Sequence, residues 1–444
     1  MTPRTFGRRA ALLLPLVGLS GCGLWDDIFS DDKPKLPGKR ETVIASSRTL
    51  VVDPSAKPPA VVLPPPVRNA AWPQAGGNPA HFMGHLAAAP RLAEAWKVDL
   101  GAGGGYRRKI LAQPVIAGGT IFAMDSGGAV SAYATSNGHR LWCFDTVSDE
   151  TDSTNVGGGL AFDSGALFTV NGIGDLHKLD PARGTVLFHK SMGVPARSAP
   201  TIADGRLYVA TIDNHMLAYA TDDGRQLWSY EATPTLASML GLAAPAFSDG
   251  LVVGGFGSGE LACLRAGTGT VAWTDDMAFS HGRESLADLS SIVGRPAIAD
   301  GRVYAISLGR LLVCIDLRSG RRLWDREIAG QDNLWVAGDW LFLISSEQQI
   351  AAIDRQDGRV AWVTDLPRYE DPEKQTGSVS WFGPVLVGDR LIAAGTQEQA
   401  LAVSPYTGEV IGRQDLSGAA SLGPVVADGT VYIVTDDASL IALR

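Results

Sequence analysis

The sequence predicts an all-β fold: an eight-bladed β-propeller of four-stranded antiparallel blades, closed by an N-terminal strand that completes the last blade. The first observation is a phrase that returns about every 45 residues, a glycine followed by a β-rich run closed by tryptophan. It reads Gly138 to Trp142, Gly224 to Trp228, Gly269 to Trp273, Gly320 to Trp324 and Gly358 to Trp362, with Phe188 replacing the ring after Gly184 and Gly412 losing it after Gly408. The second is a set of Asp-Gly pairs between short apolar runs, at Asp204-Gly205, Asp249-Gly250, Asp300-Gly301 and Asp428-Gly429. Such pairs favour the type I′ turn of a tight hairpin, because both central residues need positive φ. The third is a mismatch at the two ends. The last repeat stops without its glycine-tryptophan strand, while an orphan strand signal surrounds Trp96.

Taken in order, residues 1–21 read as an export signal: Arg4, Arg8 and Arg9, then an apolar run ending in Leu19-Ser20-Gly21-Cys22. The run is too short and wrongly flanked for a stable membrane span. Its last four residues resemble a bacterial lipobox, which makes Cys22 the expected lipidation site and new N-terminus. Gly23, where an inner-membrane retention signal would carry Asp, resembles lipoproteins sent on to the outer membrane.

Residues 22–69 are rich in Pro, Asp and Lys and are expected to form the lipidated N-terminus and an extended tether. Two apolar islands interrupt them, Thr42-Val43-Ile44 and Leu50-Val51-Val52. Residues 70–90 form a Gly/Pro-rich lead-in, and 91–444 the propeller. Its repeats start at Pro114, Gly159, Pro200, Pro245, Pro296, Leu334, Pro384 and Pro424. Each meander is too small to bury both of its faces alone, so neighbours must stack.

Chemistry is sparse. The net charge of −9 comes without a basic stripe, which argues against nucleic-acid binding. Cys143, Cys263 and Cys314 are isolated; the last two share the third-strand position of adjacent repeats and read as packing residues. His81 and His85 are spaced as a helical pair would be, but no further metal ligand lies nearby in sequence. No phosphate loop or nucleophile elbow appears, and no catalytic residue is assigned. The register tryptophans read as wedges between blades. Trp335, Trp340 and Trp381 lie outside that register, and Trp381 is the one expected at the surface.

The repeat phrase, with a preceding third strand such as Ile315-Asp316, resembles quinoprotein-like propellers. Two groups share it: the quinone-dependent alcohol and glucose dehydrogenases, and the BamB lipoproteins of the outer-membrane β-barrel assembly machine. The dehydrogenases use a calcium-bound quinone, and their alcohol-oxidising members carry adjacent cysteines, which this sequence lacks. The lipobox, the tether and the lead-in from Ala71 to His81 resemble the alphaproteobacterial branch of the BamB family.

That resemblance implies a non-catalytic, cofactor-free scaffold on the periplasmic side of the outer membrane. It would bind the POTRA region of BamA, other assembly subunits and nascent β-barrel proteins. It points to Arg197, beside Ser198-Ala199-Pro200, and to Asp288 and Leu289 as partner-binding residues. A quinone-dependent periplasmic dehydrogenase, and an adaptor or sensor unrelated to barrel assembly, are the alternatives. Loop lengths point independently to one face. First-to-second and third-to-fourth turns are short, whereas 146–156, 274–295 and 366–381 are long and belong to the opposite face, where binding is expected.

Overall fold

Eight four-stranded antiparallel meanders follow one another along the chain. The computed structural model describes residues 50–52, 59–105, 108–147, 155–235, 241–277 and 290–444. Blade 1 runs through Val115–Ala117, Thr120–Met124, Ala129–Ala134 and Arg140–Asp145. Blades 2 to 7 span 158–191, 201–231, 246–276, 297–326, 335–365 and 381–415. Blade 8 spans 425–443 and takes its fourth strand from Glu94–Asp99, which pairs antiparallel with Ser439–Leu443, Trp96 opposite Ala442 and Val98 opposite Leu440. The ring is therefore closed as the sequence predicts, and no blade is left with an unpaired third strand.

The turns carry the predicted chemistry. Asp204 and Gly205 both have positive φ, 50° and 71°, as a type I′ hairpin demands. Across the blades the inner strands are mostly buried and the outer strands are mostly exposed. In blade 5, Arg302–Ile306 and Leu312–Asp316 are almost wholly buried, whereas Arg322–Arg326 buries Trp324 and turns its other side chains outward.

The repeat phrase has a single physical explanation. The indole N–H of each register tryptophan crosses to the next blade and donates to a carbonyl there: Trp142 to Pro181 (2.9 Å), Trp228 to Ala266 (3.0 Å), Trp273 to Leu317 (2.8 Å), Trp324 to Arg355 (3.0 Å) and Trp362 to Pro405 (2.9 Å). Trp96 does the same from blade 8 to Thr135 of blade 1 (3.2 Å). The phrase's glycine in that next blade lies flat on the same ring. A Cβ on Gly320 would stand 2.5 Å from Trp273 Cγ, and its φ of +71° suits glycine as well. Where Phe188 replaces the indole, Lys178 Nζ supplies the missing donor to Thr221 (2.8 Å) and sits 5.8 Å from the Phe188 ring centre. Glycine and tryptophan thus belong to different blades: each turn packs on its neighbour's ring.

The lead-in does something its sequence does not announce. It threads round the ring and bonds the innermost strand of one blade after another. Asn69 bonds blade 8 through Val426 and Asp428; Trp72 pairs with Ile116 of blade 1; the Pro73 carbonyl accepts from Phe162 of blade 2. The Gln74 amide meets Ile202 of blade 3, while the carbonyls of Pro79 and Ala80 accept from Phe247 of blade 4 and Ile298 of blade 5. Gly84 takes the indole N–H of Trp335 in blade 6, and Leu86 pairs with blade 7 at Leu386 and Gly388. The Ala87 N–H then returns to Val67, so the segment closes on itself as a belt. Inner strands of a propeller have a free edge facing the axis, and the belt supplies partners for amides that would otherwise lack them.

Residues 59–69, expected in the tether, also touch the propeller: Pro64 lies against Gly338, its carbonyl bonds His85 Nδ1 (2.8 Å), and Arg68 pairs with Asp428. Of the two apolar islands, Leu50 is buried among blades 5 and 6 with Tyr304, Trp324 and Val336, and the first island lies outside the described residues.

Candidate partner-binding site

Short hairpins trim one face of the ring, and over blades 6 to 8 the belt and its flanks lie against those turns, with Ala88 beside Gly388 and Gly429. The opposite face keeps the long inter-blade segments. The 366–381 segment forms an additional hairpin, Tyr369–Asp371 with Thr376–Ser378, whose residues 372–378 are all exposed. The other two long segments are only partly within the described residues.

Trp381 corrects the sequence reading. It is 2% exposed, not a surface residue. The innermost strand of blade 7, Trp381–Val387, starts earlier than its counterparts and so buries the ring, whose N–H donates to the Pro367 carbonyl (2.9 Å) and fixes the base of the additional hairpin. Trp335 and Trp340 are buried too.

Arg197 lies on the segment between blades 2 and 3. Its guanidinium donates to the carbonyl of Val156, in the segment before blade 2, its N–H to Ala210 (2.9 Å), and its own carbonyl accepts from Leu242 before blade 4 (2.9 Å). Burial lowers its pKa from the ordinary arginine value. One residue therefore ties together three successive inter-blade segments on the long-loop face. Cys22, Asp288 and Leu289 lie outside the described residues. The residues that follow Leu289 are pinned to blade 4, Ser291 Oγ to Gly257 (2.9 Å) and the Ile292 N–H to Phe256 (3.1 Å).

At the axis, Trp72 of the belt stacks on Trp335, ring centres 6.3 Å apart and 13° from parallel. They line a cavity of about 20 Å³ together with His81, Gln113, Arg295 and Pro384. His81 and His85 are not a helical pair; they sit in the extended belt, each Nδ1 on a backbone carbonyl, Pro296 and Pro64. Burial pushes the His81 imidazole down to about 3, helped by the Arg295 charge and opposed by the Pro296 carbonyl. Burial pushes Asp332 up to about 6 against the Gly383 and Asn333 amides and Arg295, and lowers Arg295 to about 10.

These shifts have opposite signs in stability. Asp332 is held above its ordinary value, so its contribution is full below about pH 4 and is lost as pH rises through about 6; His81 is held below its own, so its contribution is present above about 6.5 and lost as pH falls towards 3. Between pH 6.5 and 4 the slopes oppose. Asp332→Asn leaves the histidine slope alone, so its stability should fall on acidification by up to about 1.4 kcal/mol per pH unit while the parent stays flatter. Urea midpoints at pH 4.5 and 6.5 check this, and parallel curves would refute it.

Burial raises the thiols of Cys263 and Cys314 to about 12 and 11, both fully enclosed, as packing residues should be. Among the described residues no cluster of three histidine, cysteine or carboxylate side chains is placed to hold a metal. The axial cavity of about 20 Å³ has room for one water.

Comparison with known proteins places this architecture. The family model described as outer membrane protein assembly factor BamB matches residues 145–364 and 370–444. The chain belongs to the BamB family. A BamB of Shewanella oneidensis is 27% identical over 348 residues, covering 76% of this chain and 85% of that protein; one from Yersinia pestis is 26% identical over 357, covering 77% and 88%. Among solved structures, BamB from Moraxella catarrhalis superposes with a TM-score of 0.68 at 19% identity, covering 80% of this chain and 99% of that one. A quinohemoprotein alcohol dehydrogenase from Comamonas testosteroni reaches 0.66 at 14% identity, covering 85% and 81%. Both likenesses show the propeller fold alone. The family match excludes the belt and most of blade 1, which precede residue 145.

Proposed function

We propose that the chain is a non-catalytic scaffold lipoprotein of the outer-membrane β-barrel assembly complex. Cys22 carries the acyl anchor after removal of residues 1–21, the segment from 22 links anchor to ring, and the propeller stands in the periplasm. Arg197 on the long-loop face, together with Asp288 and Leu289, holds the POTRA region of BamA and so assists folding and insertion of β-barrel proteins.

Family membership supports the class of work, since the curated relatives are named as outer membrane protein assembly factors. The observation that carries the choice of surface is the asymmetry of the ring: one face is trimmed, and over blades 6 to 8 overlaid by the belt and its flanks, while the other keeps the projecting hairpin and Arg197. An arginine that joins three inter-blade segments presents their backbones in one fixed arrangement, which a rigid partner can match.

Affinity purification of the full chain from detergent-solubilised outer membranes tests this. BamA should co-purify, and Arg197→Glu with Asp288→Arg should reduce its recovery by about tenfold, as expected for loss of a desolvated charge contact. Cys22→Ala should shift the protein to the soluble periplasmic fraction. Full recovery with the charge-reversed protein would move the interface elsewhere, and no BamA with the parent would overturn the function.

A further inference from the structure

Among the described residues, seven junctions between blades are filled by an aromatic ring with a glycine of the next blade laid on it, and the junction of blades 7 and 8 has neither. In blade 6 the cross-strand row is Phe342, Ala352 and Trp362; the same row in blade 7 is Ile392, Ala402 and Gly412. Blade 8 receives its fourth strand from Glu94–Asp99 and so has no third-to-fourth hairpin whose glycine could cover the position. What remains is an open cavity of about 290 Å³, with Leu92, Ile392, Leu401, Ala402, Gly412 and Leu443 in its walls. Ile411, beside it, is 54% exposed.

We propose that this slot is a binding site for an aromatic side chain carried by an acidic segment of a partner protein. The spacing of blades is set by the seven rings in equivalent junctions, so the eighth junction is about one ring thick. Flat aromatic groups fill such a space, and aliphatic ones leave voids along it. An apolar cavity of about 150 Å³ is already enough to take up benzene. Charge selects the occupant's surroundings: among the described residues Arg390 and Arg413 border the cavity and no carboxylate does. Arg390 also fixes the wall, donating to the carbonyls of Ala89 and Pro90 (2.5 and 2.9 Å). The site is distinct from the long-loop face and does not depend on the function proposed for it.

The test uses the full chain with N-acetyl-tryptophan as probe, its carboxylate standing for the acidic neighbour, and N-acetyl-leucine as control, followed by ligand-observed NMR. Saturable binding of the tryptophan derivative, about tenfold or more tighter than the leucine one, is expected. Gly412→Trp supplies the slot with a ring of its own and should abolish binding. Ala402→Leu narrows the floor and should weaken it about fivefold or more, which keeps the test decisive if the first variant does not fold. Equal affinity for the two probes, absence of binding to the parent, or unchanged binding in the folded variants would overturn the proposal.

Discussion

A chain that begins after Asp99 is expected not to fold, although every blade but one is intact in it. Deletion removes the strand that pairs with Ser439–Leu443 and every belt hydrogen bond to the eight inner strands. Each backbone hydrogen bond contributes about 1 kcal/mol net. Losing the buried Trp72, and the Trp96 wedge with it, adds about 3 to 5 kcal/mol per large side chain. The sum exceeds the 5 to 15 kcal/mol by which a domain is typically stable. Circular dichroism melts and limited proteolysis against the parent are the measurements, and a truncated chain that melts cooperatively within a few degrees of the parent would show the belt and closing strand to be dispensable.

The second large effect concerns the repeat phrase. Trp273→Ala should cost about 3 to 5 kcal/mol, the penalty of emptying a core position, and it also leaves the Leu317 carbonyl with only the long contact from the Cys263 thiol (4.0 Å). Gly320→Ala alone should cost about 1 to 2 kcal/mol for its left-handed backbone and about 1 to 3 more for forcing a methyl into the ring. With the ring gone, only the backbone penalty should remain. The double variant should therefore be less destabilised than the sum of the singles by about 1 to 3 kcal/mol. Additive costs in chemical denaturation would mean that the glycine is not there for the ring.

Those two experiments address features that differed in how visible they were beforehand. Blade number, blade starts and ring closure were legible because they rest on local signals repeated in register: Asp204-Gly205 and its counterparts at the hairpins, and the tryptophan row ending in the orphan Trp96. The same reliance on register misled for Trp381, whose ring is buried because one inner strand is longer than its siblings. The belt had no signature at all. Residues 69–88 have no period of two, since successive stretches of a few residues bond different blades, and partners such as Pro79 and Phe247 are far apart in sequence. His81 and His85 looked like a pair for that reason: spacing along a segment says little when the segment is extended round an axis. For the partner site, the family resemblance points to Arg197, whereas its bonds to three inter-blade segments exist only in the tertiary structure.

The belt and the closing strand also impose an order on events. Both come from the beginning of the chain, yet their partners include Leu86's neighbours in blade 7, Asn69's in blade 8 and the strand Ser439–Leu443 near its end. The belt is therefore complete only once blades 7 and 8 have formed, although its bonds to blades 1 to 6 need only earlier residues. Such long-range pairing is slow to form. A ring without its last two blades leaves Asn69, Leu86 and the strand Glu94–Asp99 without their partners, so full protection of those three marks a finished ring.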